Sequence, residues 1–488
     1  MTWHRVSSFR ARVFAEPAPI AALKAGFQRT DKFSTVRRVS MISLFALLAT
    51  ACVHRDDATL AITNVSLIDV QNGTTIPDQT VLIRGRRILG VTTGPPTLPP
   101  NISTLDGHQG YLIPGLWDMH VHMDSSDLSA FLAFGITGVR DMGGDLAELL
   151  AWRRATTAAP RAGPRLVFAG PVLRGPRSDA DSGSSSAVVI RTPEQGRRAV
   201  DSLAARGVDF IKVHEGLSRE VYFAIAAEAR RRHVAFVGHV PATLTPVEAS
   251  DAGQKSIEHF EFLPDPCLFL LGPPDARPSA APDQCTPSAL DSLFAHLERN
   301  GTWLDPTIGS FRIFAPQQFS AIVAGFRALV PQLRTRHIRV FAGTDLGTRG
   351  IVAGAALHAE LELMVQVGFT PLEALQAATI RPAEFLGVTD SLGTIAPGKI
   401  ADLVLLSQST RGYPTHASDH RRCARRSAGP AALELRSGRA LQGSRLAEPA
   451  PFAALRAGFQ RTDPISTPRF RPYREGHFED SHRGRMEA

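Results

Sequence analysis

Short apolar segments alternate with helix-like segments through the middle of the chain, and this alternation limits the fold more than any other feature. Eight segments have the length and composition of buried β-strands, and several of the intervening segments begin with a Ser or Thr helix cap. Such alternation over about 250 residues is typical of a (β/α)8 barrel, whose chemistry lies at the carboxyl ends of the strands. An open doubly wound sheet is the alternative, but no Gly-x-Gly-x-x-Gly turn follows the first strand. The predicted strands are residues 111–122, 135–141, 165–170, 209–213, 235–240, 256–260, 303–307 and 340–345.

The first predicted strand ends in two histidines, His120 and His122, which are one residue apart. Alternate residues of a strand point to the same side, so we expect both imidazoles to face the same way at the strand end. Two neutral imidazoles that converge make half of a zinc site. Because His-x-His pairs also occur without a metal, the prediction depends on whether other strand ends supply the missing ligands.

Later strand ends do carry further metal-binding side chains. Lys212 interrupts the apolar fourth strand, where a lysine is costly unless it is neutralised or paired. His239 and His259 lie at the ends of the fifth and sixth strands, and Asp345 ends the eighth. Since the strand ends of a barrel meet at one face, we expect these side chains to converge with the first two histidines. His214 does not join the set by its spacing, and we interpret it as structural or peripheral.

The motifs around these residues identify a resemblance. The chain resembles the amidohydrolase superfamily, in the branch that bridges two metals with a carboxylated lysine, and it is similar to imidazolonepropionases and Xaa-Pro dipeptidases. The resemblance extends from about residue 59 to residue 406. It implies a (β/α)8 barrel with a small composite β-sandwich. The motifs that carry it are residues 115–122, 138–144, 211–213, 238–241, 257–259, 342–345, 371–379 and 393–404.

The resemblance implies a site for two divalent metal ions. His120, His122 and Asp345 would hold the more buried ion. His239 and His259 would hold the more exposed ion. Zinc is the metal that we expect from imidazole and oxygen ligands, with manganese, cobalt and iron as alternatives.

The resemblance also implies a role for Lys212 and a second one for Asp345. Lys212, as its CO2-derived carbamate, would bridge the two metals together with a hydroxide. Paired cations lower the pKa of a bridging water and polarise a substrate carbonyl. Asp345 would accept the proton of the hydroxide and pass it to the leaving amine. The predicted reaction is therefore hydrolysis of carbon–nitrogen bonds of the amide type, not only of peptide bonds.

The predicted substrate is a small molecule such as a dipeptide, an N-acyl amino acid or a cyclic amide. Dipeptidases of this superfamily clamp the substrate carboxylate with a Tyr that follows the fifth-strand histidine, whereas Val240 follows His239 here. Arg140 and Tyr222 are candidate substrate-binding residues, and a strand-end ion pair and a helix-face aromatic are the respective alternatives. The alternative function is a catalytically inactive, metal-containing surface lipoprotein that binds a ligand or partner.

The regions on either side of the barrel have a different pattern. Residues 59–110 alternate like strands and predict part of a β-sandwich, residues 111–390 form the barrel, and residues 391–406 begin a return to the sandwich. Residues 407–488 lose the pattern, so we predict that the C-terminal part of the sandwich has been lost through a frameshift. A disordered basic tail is the alternative. Lost strands would leave an exposed sheet edge.

Residues 41–52 have the features of an export signal. Two arginines, Arg37 and Arg38, precede a short apolar run that is too short to span a bilayer. The sequence Ala-Thr-Ala before Cys52 resembles a bacterial lipoprotein box, and a buried helix of the mature fold is the alternative. We therefore predict an exported, periplasmic or membrane-anchored bacterial lipoprotein whose only membrane contact is a lipid on Cys52.

The basic charge of the chain lies at its two ends. Of a net charge of +8, residues 1–40 carry eight Lys or Arg against two Asp or Glu, and residues 408–488 carry fifteen against eight. The middle is thus slightly acidic, and a nucleic-acid partner is not supported. Residues 15–31 reappear almost unchanged at 447–463, outside the patterned core, so we interpret residues 1–40 as a non-native leader.

Export would also affect the cysteines. Cys267 and Cys285 flank a proline-rich insertion, and in an oxidising compartment they are candidates for a disulfide, with two free thiols as the alternative. The chain has no Cys-x-x-Cys motif, which argues against a thiolate metal site. The sequence does not fix the oligomeric state and is compatible with an oligomer.

Overall fold

The computed structural model describes residues 3–6, by their backbone, and residues 58–94, 97–259, 286–347 and 351–406. All of these belong to one compact unit, residues 1–421. The predicted export signal with Cys52, the Cys267 and Cys285 pair and the altered tail at 407–488 lie outside the described residues. These three features therefore stay predictions.

The elements follow one another as the alternation predicts. The strands are β1 (Trp3–Val6), β2 (Leu60–Ile68), β3 (Thr75–Arg84), β4 (Arg87–Thr93), β5 (Ser103–Pro114), β6 (Leu116–Val121), β7 (Ile136–Asp141), β8 (Arg165–Phe168), β9 (Val172–Arg174), β10 (Ala187–Val189), β11 (Phe210–Val213), β12 (Ala235–Gly238), β13 (Ser256–Glu258), β14 (Trp303–Asp305) and β15 (Leu403–Leu406). The helices are α1 (Asp127–Ala133), α2 (Leu146–Ala158), α3 (Pro193–Ala205), α4 (Arg219–Arg231), α5 (Pro246–Asp251), α6 (Pro287–Asn300), α7 (Phe311–Phe314), α8 (Phe319–Thr335), α9 (Ala355–Gln366), α10 (Pro371–Ala377) and α11 (Ile380–Leu386).

Six strands form one mixed sheet in the order β1-β15-β5-β2-β3-β4. Alternate residues of these strands point to the same side, and the apolar set packs into a separate small core. The strand β15 arrives from beyond the barrel and pairs antiparallel with β5, with Leu403 opposite Pro114. The sequence pattern predicted this return to the sandwich. The fully buried side chains of this core include Ile62, Val65, Val81, Ile83, Leu112 and Leu403.

The structure corrects the prediction of one strand across residues 111–122. Residues 111–114 end β5 and pair with β15, and β6 begins only at Leu116. Gly115 separates the two strands, and a Cβ at this position would overlap the side chain of Thr137. An apolar run does not reveal that the chain passes from one sheet into another at a glycine, because both halves are buried strands.

Parallel strands build the remaining sheets. The strands β6, β7 and β8 pair in that order, and β10, β9, β11, β12, β13 and β14 form a six-stranded sheet. The amide of Asp209 donates to the carbonyl of Phe168 over 2.9 Å and thereby links the two sheets. The predicted eighth strand is not a regular strand. Val340 and Leu346 form isolated bridges with Leu304 and Val121, and the residues between them make scattered backbone hydrogen bonds on both sides.

Helices lie between the strands, as the alternation predicts, and α3, α4, α6 and α9 contain 13, 13, 14 and 12 residues. The helices α3, α5 and α10 begin with a capping box and a proline in the first turn, at Thr192, Thr245 and Thr370. Reciprocal side-chain and backbone hydrogen bonds fix such helix starts. Within the described ranges, no helix has the length and apolar character needed to cross a bilayer.

The outer edge of β15 is paired as well. The backbone of β1 runs antiparallel to it, with Trp3 opposite Leu406 and Val6 opposite Leu403. The exposed edge expected beside β15 is therefore absent from the part of the chain that the structure describes. The segment that covers it comes from residues 1–40, which were predicted to be a non-native leader.

Candidate metal centre

His120 lies at the carboxyl end of β6 and is fully buried. Its Nδ1 is 3.2 Å from Glu258 Oε2, and a carboxylate oxygen accepts hydrogen bonds, so Nδ1 carries the hydrogen. Its Nε2 makes no hydrogen bond among the described residues and lies 3.5 Å from Asp345 Oδ1. A histidine whose Nδ1–H is held by a carboxylate and whose Nε2 keeps its lone pair is oriented as a metal ligand.

His122 is oriented toward the same carboxylate. Its Nδ1 donates to the carbonyl oxygen of Gly143 over 2.9 Å, because a carbonyl can only accept. Its Nε2 is therefore a free lone pair, 3.5 Å from Asp345 Oδ1. Two glycines leave room for this ring and its backbone, since a Cβ on Gly143 would lie 3.1 Å from the ring and one on Gly347 would lie 2.5 Å from the His122 carbonyl oxygen.

Asp345 and His259 both have left-handed backbones, with φ of 58° and 54°. A non-glycine residue with positive φ is uncommon and is concentrated at functional sites. Ligand atoms of His120, His259 and Asp345 all lie within 4.8 Å of one another. This separation suits side chains that belong to one metal centre.

His239 extends the cluster, since its ring centroid is 4.9 Å from that of His259. Burial lowers the pKa of His120, His239 and His259 well below the ordinary value. The imidazoles are therefore neutral, which is the form that binds metals. The structure thus brings together all five predicted histidine and aspartate ligands around Asp345 and His259.

Lys212 is almost fully buried in the centre of β11. It pairs with Val237 across the sheet, and a Cβ on Gly238 would lie 3.0 Å from Lys212 Cδ. The lysine side chain therefore lies beside β12, the strand that His239 directly follows. This placement agrees with the predicted ligand set, while its carbamate stays a prediction.

Arg140 is buried beneath the cluster and does not face a surface that a substrate could reach. Its Nη2 is 2.7 Å from Glu258 Oε2 and 3.1 Å from Asp305 Oδ2. Its guanidinium also lies 4.7 Å from the centre of the Phe341 ring. These contacts match the alternative interpretation, a strand-end ion pair, and do not support substrate binding.

The same guanidinium explains a second group of close acidic atoms. Atoms of His120, Glu258 and Asp305 also lie within 4.8 Å of one another. Arg140 already supplies the positive charge at this place, so a second cation there would be repelled. We therefore assign the metal centre to the side of His120 that faces Asp345.

Tyr222 is fully buried on α4, and its hydroxyl donates to Gln254 Oε1 over 2.5 Å. Burial raises the pKa of this phenol, so it stays neutral. Its ring meets Phe236 edge to face, with centroids 5.8 Å apart. The structure therefore places Tyr222 in the helix-to-strand core and does not support its predicted contact with substrate.

Some residues at the site escaped the sequence analysis. His214 stacks on His239 with ring centroids 3.8 Å apart, so it adjoins the cluster despite its spacing. Asp118 accepts from the amide and the hydroxyl of Thr344, and burial raises its pKa to about 7. Asp141 accepts from the backbone amides of the loops beside His122. A polar residue inside an apolar strand was the signal available for both aspartates.

Residues 111–425 match the model of the amidohydrolase family. The chain belongs to this family. Among curated proteins it is similar to an adenine deaminase of Rubrobacter xylanophilus, with 24% identity over 365 residues that cover 72% of this chain and 54% of the relative. The chain thus spans about half the length of the curated relatives that it matches.

Solved structures show the same fold. A Xaa-Pro dipeptidase with bound methionine in its active site has a TM-score of 0.54 and 22% identity, over 70% of this chain and 92% of that one. An ochratoxinase of A. niger has a TM-score of 0.55 and 21% identity, over 72% and 90% of the two chains. The described residues therefore form a mixed α/β structure with the amidohydrolase fold.

Proposed function

We propose that this protein is a metal-dependent hydrolase that acts on carbon–nitrogen bonds of the amide type. One observation carries the proposal. Asp345 Oδ1 lies 3.5 Å from Nε2 of both His120 and His122, and the Nδ1 atom of each ring is already occupied by a hydrogen-bond acceptor. Membership of the amidohydrolase family supports it.

The residues of the cluster fit two divalent cations. His120, His122 and Asp345 would hold the inner ion, and His239 and His259 the outer one. Imidazole and carboxylate ligands suit zinc, which is the metal that we propose. When bound, the ions would acidify water and polarise a substrate carbonyl.

Lys212 would complete this centre as its CO2-derived carbamate. A lysine ammonium cannot ligate a cation, whereas a carbamate offers two anionic oxygens. The burial of Lys212 among neutral imidazoles supports this proposal, because a charged ammonium there is costly and an anionic adduct beside two cations is not.

Asp345 is the group that we propose to move the proton. Burial raises the pKa of its carboxyl above the ordinary value in the metal-free chain, and a carboxylate that adjoins the bound water can accept its proton. Its left-handed backbone aims the carboxyl at His120 and His122, where the nucleophile would form. The carboxyl of Asp345 would then give the proton to the leaving amine.

Dipeptides, N-acyl amino acids and cyclic amides are the substrates that we propose. Named relatives include a Xaa-Pro dipeptidase, an ochratoxinase and an adenine deaminase, which differ in substrate but agree with a carbon–nitrogen target. Val240 stands where dipeptidases of the superfamily have a carboxylate-clamping Tyr, which argues against a specificity that depends on clamping the free carboxylate of the substrate at this position.

The wider setting is also a proposal. We propose a closed (β/α)8 barrel, supported by the backbone contacts of residues 340–346 with β14 and β6. The proposed setting is the exported, lipid-anchored or periplasmic one that Cys52 suggests.

Metal content of the purified full chain tests the proposal. We expect close to two metal ions per chain in the parent and the loss of at least one in Lys212→Ala. Lys255→Ala is the matched control, because Lys255 precedes β13 and donates to the carbonyl of Phe385 away from the cluster. A folded parent that binds little metal would refute the proposed hydrolase activity. Full metal content without hydrolysis of any amide in a broad screen would favour the alternative, an inactive lipoprotein.

A further inference from the structure

His259 is held by a short chain of hydrogen bonds from the loop after β14. Its Nδ1 is 2.7 Å from Thr307 Oγ1, and Thr307 Oγ1 is 3.3 Å from Ser310 Oγ. Ser310 Oγ in turn donates to the backbone carbonyl of Thr307 over 2.8 Å. Thr307 and Ser310 are both buried.

The direction of this chain follows from its last member. A carbonyl can only accept, so the single hydroxyl hydrogen of Ser310 is used there. The assignment that satisfies all three contacts then has Thr307 donating its hydroxyl hydrogen to Ser310 Oγ. In this assignment Thr307 Oγ1 accepts from His259, whose Nδ1 carries the hydrogen. His259 is left with a lone pair on Nε2, the form that ligates a metal.

The backbone of Thr307 needs support to present its hydroxyl in this way. Its φ is 42°, a left-handed conformation that is a real outlier for a β-branched residue. The next two residues form the start of a 3-10 turn, Ile308–Ser310. Their amides both donate to Glu360, from Ile308 to Oε1 and from Gly309 to Oε2, each over 2.7 Å.

Glu360 comes from α9, the helix that follows the last strand segment, and it is almost fully buried. Both of its carboxyl oxygens are used on the turn. This contact joins helix α9 to the turn that directly follows Thr307, and it offsets the cost of the strained backbone.

We propose that Thr307 and Glu360 are positioning residues that set the orientation and the tautomer of His259 for metal binding. Thr307 acts directly through its hydroxyl, and Glu360 acts through the backbone of the turn. The inference rests on the proposed function, since it concerns the affinity of the same centre for zinc.

Zinc dissociation constants, measured by competition with a chelator on the full chain, test the inference. Thr307→Val removes the acceptor at constant size and should weaken zinc binding about 10-fold or more, as for other partners of metal-bound histidines. Thr307→Ser keeps the hydroxyl and should stay within about threefold of the parent. Selective 15N labelling of histidine should show the hydrogen on His259 Nδ1 in the parent and an altered signal in Thr307→Val.

Glu360→Gln tests the more distant residue, because an amide nitrogen cannot accept and one of the two backbone amides loses its partner. Glu362→Gln is the matched control, since Glu362 is exposed on the same helix. We expect weaker zinc binding in the first variant and an unchanged constant in the second. Should Glu360→Gln fail to fold, the two Thr307 variants still decide the question.

The outcomes separate the two proposals. A parent that binds no zinc refutes the proposed function and the inference with it. A parent that binds zinc, with folded Thr307→Val and Glu360→Gln variants of equal affinity, refutes the inference alone. Equal losses in Thr307→Val and Thr307→Ser also refute it, because the hydroxyl would then be irrelevant.

Discussion

His120 and His259 belong to one cluster but are supported by different chemistry. Behind His120 stands an ionic pair, Glu258 with Arg140, and all three side chains are fully buried. Beside His259 stands a neutral hydroxyl, that of Thr307. Charge-assisted hydrogen bonds are the stronger kind, but removing one partner of a buried ion pair leaves an uncompensated charge. The inner end of the site should therefore be more fragile in folding than the outer end, where the supporting hydroxyl acts mainly on metal binding.

Glu258→Ala should have the largest effect on folding. The substitution removes the 2.7 Å partner of the buried Arg140 guanidinium and leaves it only Asp305, at 3.1 Å, which should lower the free energy of unfolding by about 1.5–3 kcal/mol. Urea unfolding of the metal-free protein measures this loss. Glu362→Ala, at an exposed position, should stay within about 0.5 kcal/mol of the parent. A loss below about 1 kcal/mol in Glu258→Ala would contradict the buried ion pair.

A double-mutant cycle sharpens the comparison. Arg140→Met combined with Glu258→Gln should be less destabilising than the sum of the two single changes, with a coupling of about 1–3 kcal/mol, because neither partner is left charged and alone. The same cycle for Thr307→Val and His259→Gln should give a smaller coupling in unfolding, since both groups are neutral. Additive effects in the first cycle would show that Arg140 and Glu258 do not depend on each other.

At the outer end of the site, folding stability should depend on pH through the buried carboxyl of Glu360. Burial raises the pKa of Glu360 to about 8, while the unfolded chain releases this proton near the ordinary value of 4.5. The native state therefore binds more protons in between, and stability is lost as the pH rises through about 8. The melting temperature of the parent minus that of Glu360→Gln should fall between pH 5 and pH 9. A constant difference would contradict the shifted pKa.

The smallest effect is expected away from both ends, at Tyr222. Tyr222→Phe removes the hydrogen bond to Gln254 but keeps the ring, and should cost about 1 kcal/mol of unfolding free energy. Zinc affinity and hydrolysis should be unchanged, because the hydroxyl lies in the core. A specific rise in KM without a change in stability would instead restore Tyr222 as a substrate-binding residue.

The proposed ligands could be picked out from the sequence because each interrupts an otherwise apolar strand end. Lys212 within β11 and His239 after β12 stand out against their neighbours, and strand order alone brings such positions to one face. The supporting residues were not predictable in this way. Arg140 and Glu258 are 118 residues apart, and only the register of the sheets brings them within hydrogen-bonding distance.

The backbone conformation at two positions also could not be predicted from the sequence. A positive φ at Thr307 runs against the preference of a β-branched residue, so no local pattern predicts it. The split at Gly115 is similar, since the last residues of β5 and the start of β6 have the same apolar character but belong to different sheets. In both places tertiary contacts decide what propensity cannot.

The pairing of β15 with β5 has a consequence for the order in which the chain is made. The strand Leu403–Leu406 leaves the ribosome only after every residue of the barrel segment, yet it lies between β5 and β1. Until β15 has been synthesised, one edge of β5 is unpaired, and an unpaired strand edge can pair with the wrong strand. The small sheet should therefore be the last part to mature, and the part that most needs a chaperone during synthesis.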